Sequence, residues 1–335
     1  MYAVTGGSGF IGLNLVEALL RRGETVLSIS LDGFPAVAAA EFARLPGRVV
    51  DAVADVTDGD AVARLLAAHG IRRLFHGAVI TAGEAREREA AARILEVNIV
   101  GATRVVEAAA RSGVARVVLA SSSAVYGEAF FGAGPVPETV QPVPRNLYGI
   151  SKLATELMGR RLAALHGLSV AAARITAAMG PWERDTGLRD TLSPMFQIAC
   201  LAAEGRPVRL PKGGLRDWVH APDVAAALVR LLDAAELPHF AYNVSPGVTW
   251  HPARFCEALQ AVWPALDWAL VDDEAAATIA FMDDLGRTRQ PADIGRLRDL
   301  WPGAELSPSA ALDSFARWIA DHPSWFAASP SSAER

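Results

Sequence analysis

Tyr2-Ala-Val-Thr5-Gly6-Gly7-Ser8-Gly9-Phe10-Ile11-Gly12 is the stretch that decides the fold. It reads as a short apolar strand, a glycine-rich turn, and a helix whose apolar positions are Leu13, Val16, Leu19 and Leu20. Glycine permits the positive φ of a tight turn, lets a pyrophosphate approach backbone N–H groups, and allows helix and strand to pack closely. Gly6, Gly9 and Gly12 stand where those properties are needed, and Phe10 and Ile11 between them are counted with the cofactor-binding turn. A helix N-terminus adds a partial positive charge for phosphates. Strand, turn and helix in this order point to dinucleotide binding rather than to an ordinary turn.

Beyond that stretch, Gly23 closes the first helix and Thr25–Ser30 reads as the second strand. The end of such a strand faces an adenosine ribose. Ser30 occupies that end, and Asp32 is either a ligand of the ribose hydroxyls or a turn residue before Gly33. No lysine or arginine occurs between Arg22 and Arg44, which leaves a 2′-phosphate without a local cation and tilts the cofactor from NADP to NAD. Arg48–Asp55 reads as the third strand, and Asp58 caps a helix through Leu65 that Gly70 stops. Arg73–Ala78 is the fourth strand, and the small pair Gly77-Ala78 would let backbone approach the cofactor. Ala85–Ser112 is expected as one long amphipathic helix, in which Asn98 is either solvated or hydrogen-bonded. Val114–Ala120 is the fifth strand, with Ser121, Ser122 and Ser123 at the C-terminal edge where open parallel sheets bind ligands. Phe130–Arg145 reads as a loop into a helix from Leu147 to Leu165, and Ser169–Ile175 as the sixth strand. Asp223–Leu232 is a helix and Ala241–Val244 a strand; from Trp250 to Phe326 the pattern is helical with short strands, and the residues after Ser329 read as a frayed tail.

The chemistry is carried by Tyr148-Gly-Ile-Ser-Lys152 together with Ser122. Four residues make one helical turn, so Tyr148 and Lys152 share a face. A fixed ammonium there would favour the phenolate and bring it toward working pH as a general base for a substrate hydroxyl. Ser122 can give a second hydrogen bond to the same oxygen.

Thr5-Gly-Gly-Ser-Gly-Phe-Ile-Gly12, Asp55-Val56, Asn98, Ser121-Ser-Ser-Ala-Val-Tyr-Gly127, Tyr148-x-x-x-Lys152, Gly180-Pro181 and Arg216-Asp-Trp-Val-His220 follow one another in family order. Together they resemble the short-chain dehydrogenase/reductase superfamily, in its extended branch of NAD-dependent epimerases and dehydratases. The resemblance implies an α/β fold: a Rossmann-type doubly wound parallel sheet over 1–176 and about 222–248, with a smaller C-terminal α/β substrate lobe over 177–221 and 249–328. It implies that Asp55 accepts from the adenine amino group, that Val56 packs on the ring, and that Asn98 supports the active site. It makes Ser122 the catalytic hydroxyl and places Ser123 beside the substrate. Dehydratases carry Thr-Asp-Glu where this chain has Ser122-Ser123-Ala124, which argues against a 4,6-dehydratase. Nucleotide-sugar members carry asparagine where Ala177 stands. Arg216 resembles the family's substrate-phosphate arginine, while Arg184 and Arg189 are either a solvated turn or anion ligands. The implied reaction moves the hydroxyl proton to Tyr148 and the carbon's hydride to the nicotinamide. An epimerase returns the hydride to the other face of the ketone; a net dehydrogenase of a sugar acid or polyol releases the ketone; a non-catalytic nucleotide sensor would do neither. The resemblance also implies that the long helix through Asn98 and the catalytic helix pair with their symmetry mates in a four-helix homodimer interface.

Bulk properties agree with a small-molecule enzyme. The 335 residues are long for one core, and 51% hydrophobic with 21% charged is globular composition. A net charge of −5 leaves no nucleic-acid footprint, so the expected partner is a carbohydrate, an anionic one if the arginines bind it. Cys200 and Cys256 are too few for a disulfide framework, and the seven histidines show no metal-ligand pairing, so no metal is expected. A strand from residue 2 leaves no room for a signal peptide and no apolar run spans a bilayer, from which a soluble, cytoplasmic protein is expected. All eight tryptophans lie at Trp182 or later, which hints at a second core.

Overall fold

The computed structural model describes residues 1–190, 192–279, 287–304 and 306–327; the expected tail after Ser329 lies outside them. Eleven strands follow in order: β1 Tyr2–Thr5, β2 Thr25–Ser30, β3 Arg48–Val53, β4 Arg73–His76, β5 Arg116–Ser122, β6 Ser169–Ile175, β7 Ala178–Met179, β8 Val208–Pro211, β9 Val219–His220, β10 Ala241–Val244 and β11 Trp268–Val271. The helices that matter below are α1 Phe10–Arg21, α2 Ala36–Phe42, α3 Gly59–Ala68, α4 Glu84–Leu95, α5 Ala102–Arg111 and α6 Leu147–His166. Seven strands form one sheet in the order β10-β6-β5-β4-β1-β2-β3, with every pairing parallel. The order reverses direction beside β1, so β1 and β4 open the crevice where doubly wound folds bind ligands.

The central strands are continuous apolar runs because helices cover both faces. One face packs Val4, Phe75, Val118 and Ala173 against α1; the other packs Leu27, Leu74 and Val117 against α3 and α5. A second core, away from the sheet, gathers Phe196, Trp218, Trp250, Phe255 and Phe315. Most of the late tryptophans serve it or the seam beside it, where Trp182 meets Phe42, Trp318 and Trp325 edge-on.

The helix expected over Ala85–Ser112 is interrupted. Between α4 and α5, residues Glu96–Gly101 form a π-helical turn, and Ala90 carries non-helical dihedrals (φ −135°). At the π turn the cause is Asn98, whose side chain and carbonyl are both taken by tertiary partners. An extra residue in the turn frees that carbonyl, as such bulges do at functional sites. Other boundaries move by one or two residues: β3 ends at Val53 and β4 at His76, where the chain leaves the sheet toward the crevice.

Candidate active site

The glycine turn leaves β1 through Gly6, whose φ of +72° suits glycine alone and whose missing side chain would meet the backbone of Ala78 at 2.8 Å. A Cβ at Gly12 would lie 2.0 Å from the carbonyl of Gly6, so only glycine lets α1 pack back on the turn. The N-cap of α1 is Gly9; it offers no side-chain cap, and no acid lies in the first turn. Ser30 accepts from Ser8 N at 3.0 Å, so the residue standing at the end of β2 braces the turn. Ala78 lines the turn's opposite wall, Val56 is buried under Gly101, and Asp55 accepts from Thr57 N at 2.8 Å and pairs with Arg93 at 3.2 Å. Burial opposes the charge of Asp55, but those contacts hold its pKa below the usual carboxylate value. Asp32 is exposed at the end of β2.

Across the crevice, β5 delivers Ser122 and α6 delivers Tyr148 and Lys152. Asn146 caps α6 by accepting from Gly149 N at 2.8 Å, which fixes the first turn that carries the tyrosine. Tyr148 has the hydroxyls of Ser122 and Thr81 as partners; burial raises its pKa, and Ser122, the Arg189 charge and Thr81 pull it back in that order. This corrects the sequence expectation of a phenol brought toward working pH by Lys152. The ammonium of Lys152 lies 5.7 Å from the centre of the Tyr148 ring and donates to Ala120 O at 2.6 Å. Burial lowers Lys152 to about 8, with Glu156 opposing.

Asn98 ties this wall together. It accepts from Ile80 N at 2.8 Å, donates to Ile80 O and to Ser151 Oγ, each at 3.0 Å, and its carbonyl accepts from Thr155 at 3.1 Å. It therefore joins the loop after β4 to α6, the helix that carries Tyr148. Beneath lies a network that the motifs did not reveal. Glu156, from α6, receives Arg174 through both oxygens at 2.9 and 2.7 Å and also receives Ser121. Arg174 donates in turn to Tyr126 Oη at 2.9 Å, and Tyr126 to Asn243 at 2.6 Å. A buried carboxylate on the inner face of a catalytic helix was the sequence signal for it. His76 is also buried, against Thr5 at 2.7 Å, and burial with the nearby Lys152 charge lowers it to about 3, so its ring is neutral.

The three arginines part company. Arg189 belongs to a short run that pairs with Thr81 across the crevice: Thr81 N donates to Leu188 O at 2.8 Å and Asp190 N to Thr81 O at 3.1 Å. Its guanidinium lies 5.5 Å from the Phe10 ring centre and pairs at 3.0 Å with Glu183, which accepts from Ser193 N at 2.7 Å and whose pKa burial raises. Arg184 lies instead at the glycine turn, donating to Ser8 O at 3.2 Å. Arg216 is buried in a bridge with Trp250, its guanidinium 6.0 Å from the Trp218 ring centre. Ser123 is buried next to Ser122, and its carbonyl accepts from Tyr126 N at 3.1 Å. Thr81 lies beyond the small pair Gly77-Ala78 where no motif marks it, and its pairing partner lies more than a hundred residues away.

Among the described residues no cluster could hold a metal ion, and no helix is long and apolar enough to cross a membrane. A crevice floored by an uncapped helix N-terminus at the glycine turn fits a dinucleotide cofactor. The NAD dependent epimerase/dehydratase family matches residues 2–245, and the chain belongs to it. It is 30% identical over 269 residues to dTDP-L-rhamnose 4-epimerase of Burkholderia thailandensis, covering 68% of this chain and 72% of that one. It is 29% identical over 244 residues to UDP-glucose 4-epimerase of Azospirillum brasilense, covering 68% and 67%. A solved structure of MoeE5 in complex with UDP-glucose and NAD superposes with a TM-score of 0.75 at 25% identity, covering 95% of this chain and 97% of that one. The family is NAD dependent, and the MoeE5 structure, which holds NAD, shares this Rossmann-type fold.

Proposed function

We propose that this chain is an NAD-dependent epimerase acting on a secondary hydroxyl of a sugar or nucleotide sugar. The observation that carries this is the meeting of Ser122, Thr81, Tyr148 and Arg189 at one point of the crevice, opposite the glycine turn. The residues present fit the dinucleotide: Gly6 and Gly12 leave its path open, and the first turn of α1 has no cap or acid to compete with phosphate. When bound, NAD would supply the reversible hydride chemistry at the carbinol carbon. Tyr148 takes the hydroxyl proton and later gives it back, and Ser122 holds the oxygen as it becomes a carbonyl. Arg189 supplies the cation that opposes the effect of burial on Tyr148. Lys152 anchors α6 to β5 through Ala120 O and keeps the tyrosine ring in place. Arg189 and Arg216 are proposed to meet an anionic part of the substrate, and Ser123 to line it. A Tyr148→Phe protein should fold normally and lose about a thousandfold or more in turnover; unchanged turnover would favour a nucleotide-binding protein without catalysis.

The second reading is a net dehydrogenase of a sugar acid or polyol. It is favoured by Ala177, which offers only its backbone carbonyl, to Val219 N at 2.9 Å. Mass spectrometry of small molecules released on denaturation separates the two. Stoichiometric NAD means a cofactor recycled in place; an empty protein that binds added NAD reversibly means the dehydrogenase. Released NADP would overturn the reading of Ser30 and Asp32. A cytoplasmic location and a homodimer complete the proposal. The dimer is supported by Ile150 and Leu157, 45% and 60% exposed on α6, and by Val100 at 42% on the neighbouring π turn. Sedimentation showing only monomer at micromolar concentration would remove it.

A further inference from the structure

We propose that Arg184 is a ligand of the cofactor's diphosphate, held beside the N-terminus of α1. This rests on the dinucleotide reading above. Two residues earlier, Trp182 is the one non-glycine residue among those described with a positive φ, +66°. Such a conformation persists only when its surroundings fix it. Here they do: the Trp182 indole donates to Glu17 at 2.6 Å, and Asn14 donates to Pro181 O at 2.9 Å. Glu17 and Asn14 both belong to α1, the helix whose N-terminus ends the glycine turn. The chain is thus docked on α1 and turned so that Arg184 reaches Ser8.

At that point the guanidinium is left incomplete. One nitrogen donates to Ser8 O, while Nε is buried without a hydrogen-bond partner. Buried donors are seldom left so, and a guanidinium fork suits phosphate oxygens. Burial lowers the pKa of Arg184 and the field of Asp32 opposes it. The uncapped first turn of α1 offers N–H groups to the same anion. Five residues on, Arg189 turns the other way, to Phe10, Thr81 and Tyr148, so the two arginines divide cofactor from substrate.

The test is calorimetric titration of the wild-type protein, Arg184→Met and Arg184→Lys, freed of carried nucleotide, with NAD, ADP-ribose, adenosine and NADP. Losing a charge-assisted bond should weaken NAD and ADP-ribose about tenfold to a hundredfold in R184M. Adenosine affinity should not change. R184K, which keeps the charge without the fork, should lose several-fold at an unchanged melting temperature, and it decides the matter if R184M melts early. Equal loss for adenosine, loss confined to NADP, or undiminished ADP-ribose binding would each overturn the assignment. Wild-type protein that binds neither NAD nor ADP-ribose would overturn the proposed function itself; normal binding that Arg184 does not influence would overturn only this inference.

Discussion

Two arginine–carboxylate pairs flank Tyr148, and they differ in what surrounds them. Beneath α6, Arg174 and Glu156 are 5% and 4% exposed, meet through two parallel hydrogen bonds, and have every remaining direction filled by Ser121, Tyr126 and Glu138 O. Above the crevice, Glu183 is 1% exposed but Arg189 is 26% exposed and meets it through a single nitrogen. The first pair is closed and has nothing left to offer a ligand. The second is half open: the carboxylate holds the guanidinium, which stays partly exposed. Burying charge is costly unless the partners are complete, so a closed pair maintains structure while an open one can serve chemistry.

The largest expected effect comes from breaking the closed pair. Arg174→Met strands the Glu156 carboxylate in the core and should destabilise folding by about 3–5 kcal/mol, read by chemical denaturation. Replacing both partners, as Glu156→Met with Arg174→Met, should recover part of that loss because no buried charge is left unpaired. If R174M unfolds no earlier than the wild type, the pair is not the keystone that its geometry makes it.

Arg189→Met should cost less stability than R174M, because Glu183 keeps its hydrogen bonds from Ser193 N and Oγ, and should lower turnover by about a hundredfold, as for removal of a preorganised donor. Its signature is the pH profile. Arg189 lowers the pKa of Tyr148, so without it the tyrosine ionises at higher pH, and the rising limb of kcat/KM should move to higher pH. A limb that stays in place would show that the charge of Arg189 does not reach the phenol. Glu183→Gln should give a milder form of the same defect, since Arg189 survives but is no longer held.

The same contrast explains what could be read from the sequence. Gly6, Gly12 and the Tyr148/Lys152 pair are dictated by local geometry: a turn, a packing distance and one helical turn. Local rules act over a few residues, so the parallel sheet, the crevice and the catalytic helix were all legible. The bond between Thr81 and Leu188, the approach of Arg184 to Ser8, and the partnership of Glu156 with Arg174 join segments that no local pattern relates. Arg184 and Arg189 therefore looked alike, two charges in one polar run, until the bridge to Thr81 and the turn at Trp182 sent them to different sides. The interruption at Asn98 was hidden for the same reason: composition shows a helix, while the partners that distort it, Ile80, Ser151 and Thr155, come from elsewhere.

Lys152 stands between the two pairs, and the smallest expected effect belongs to it. Its pKa is lowered by burial to about 8, against an ordinary value near 10.5. Between those values the unfolded chain holds the proton more tightly than the folded one. Stability from this group therefore rises with pH from about 8 toward 10.5, and below 8 the full penalty of the buried ammonium is present. The buried thiols oppose it: Cys200 and Cys256 are raised to about 12, so from pH 9 upward the folded state holds protons that the unfolded state releases, and stability falls. The two trends overlap in the wild type, which is why the measurement must be a difference. Denaturation of wild type and Lys152→Met in parallel cancels the thiols, and the gap between them should move in favour of the wild type as pH rises from 8 to 10. A gap independent of pH would mean that Lys152 keeps its proton in the fold. The cation held under Tyr148 would then be permanent, as the sequence reading of the pair assumed.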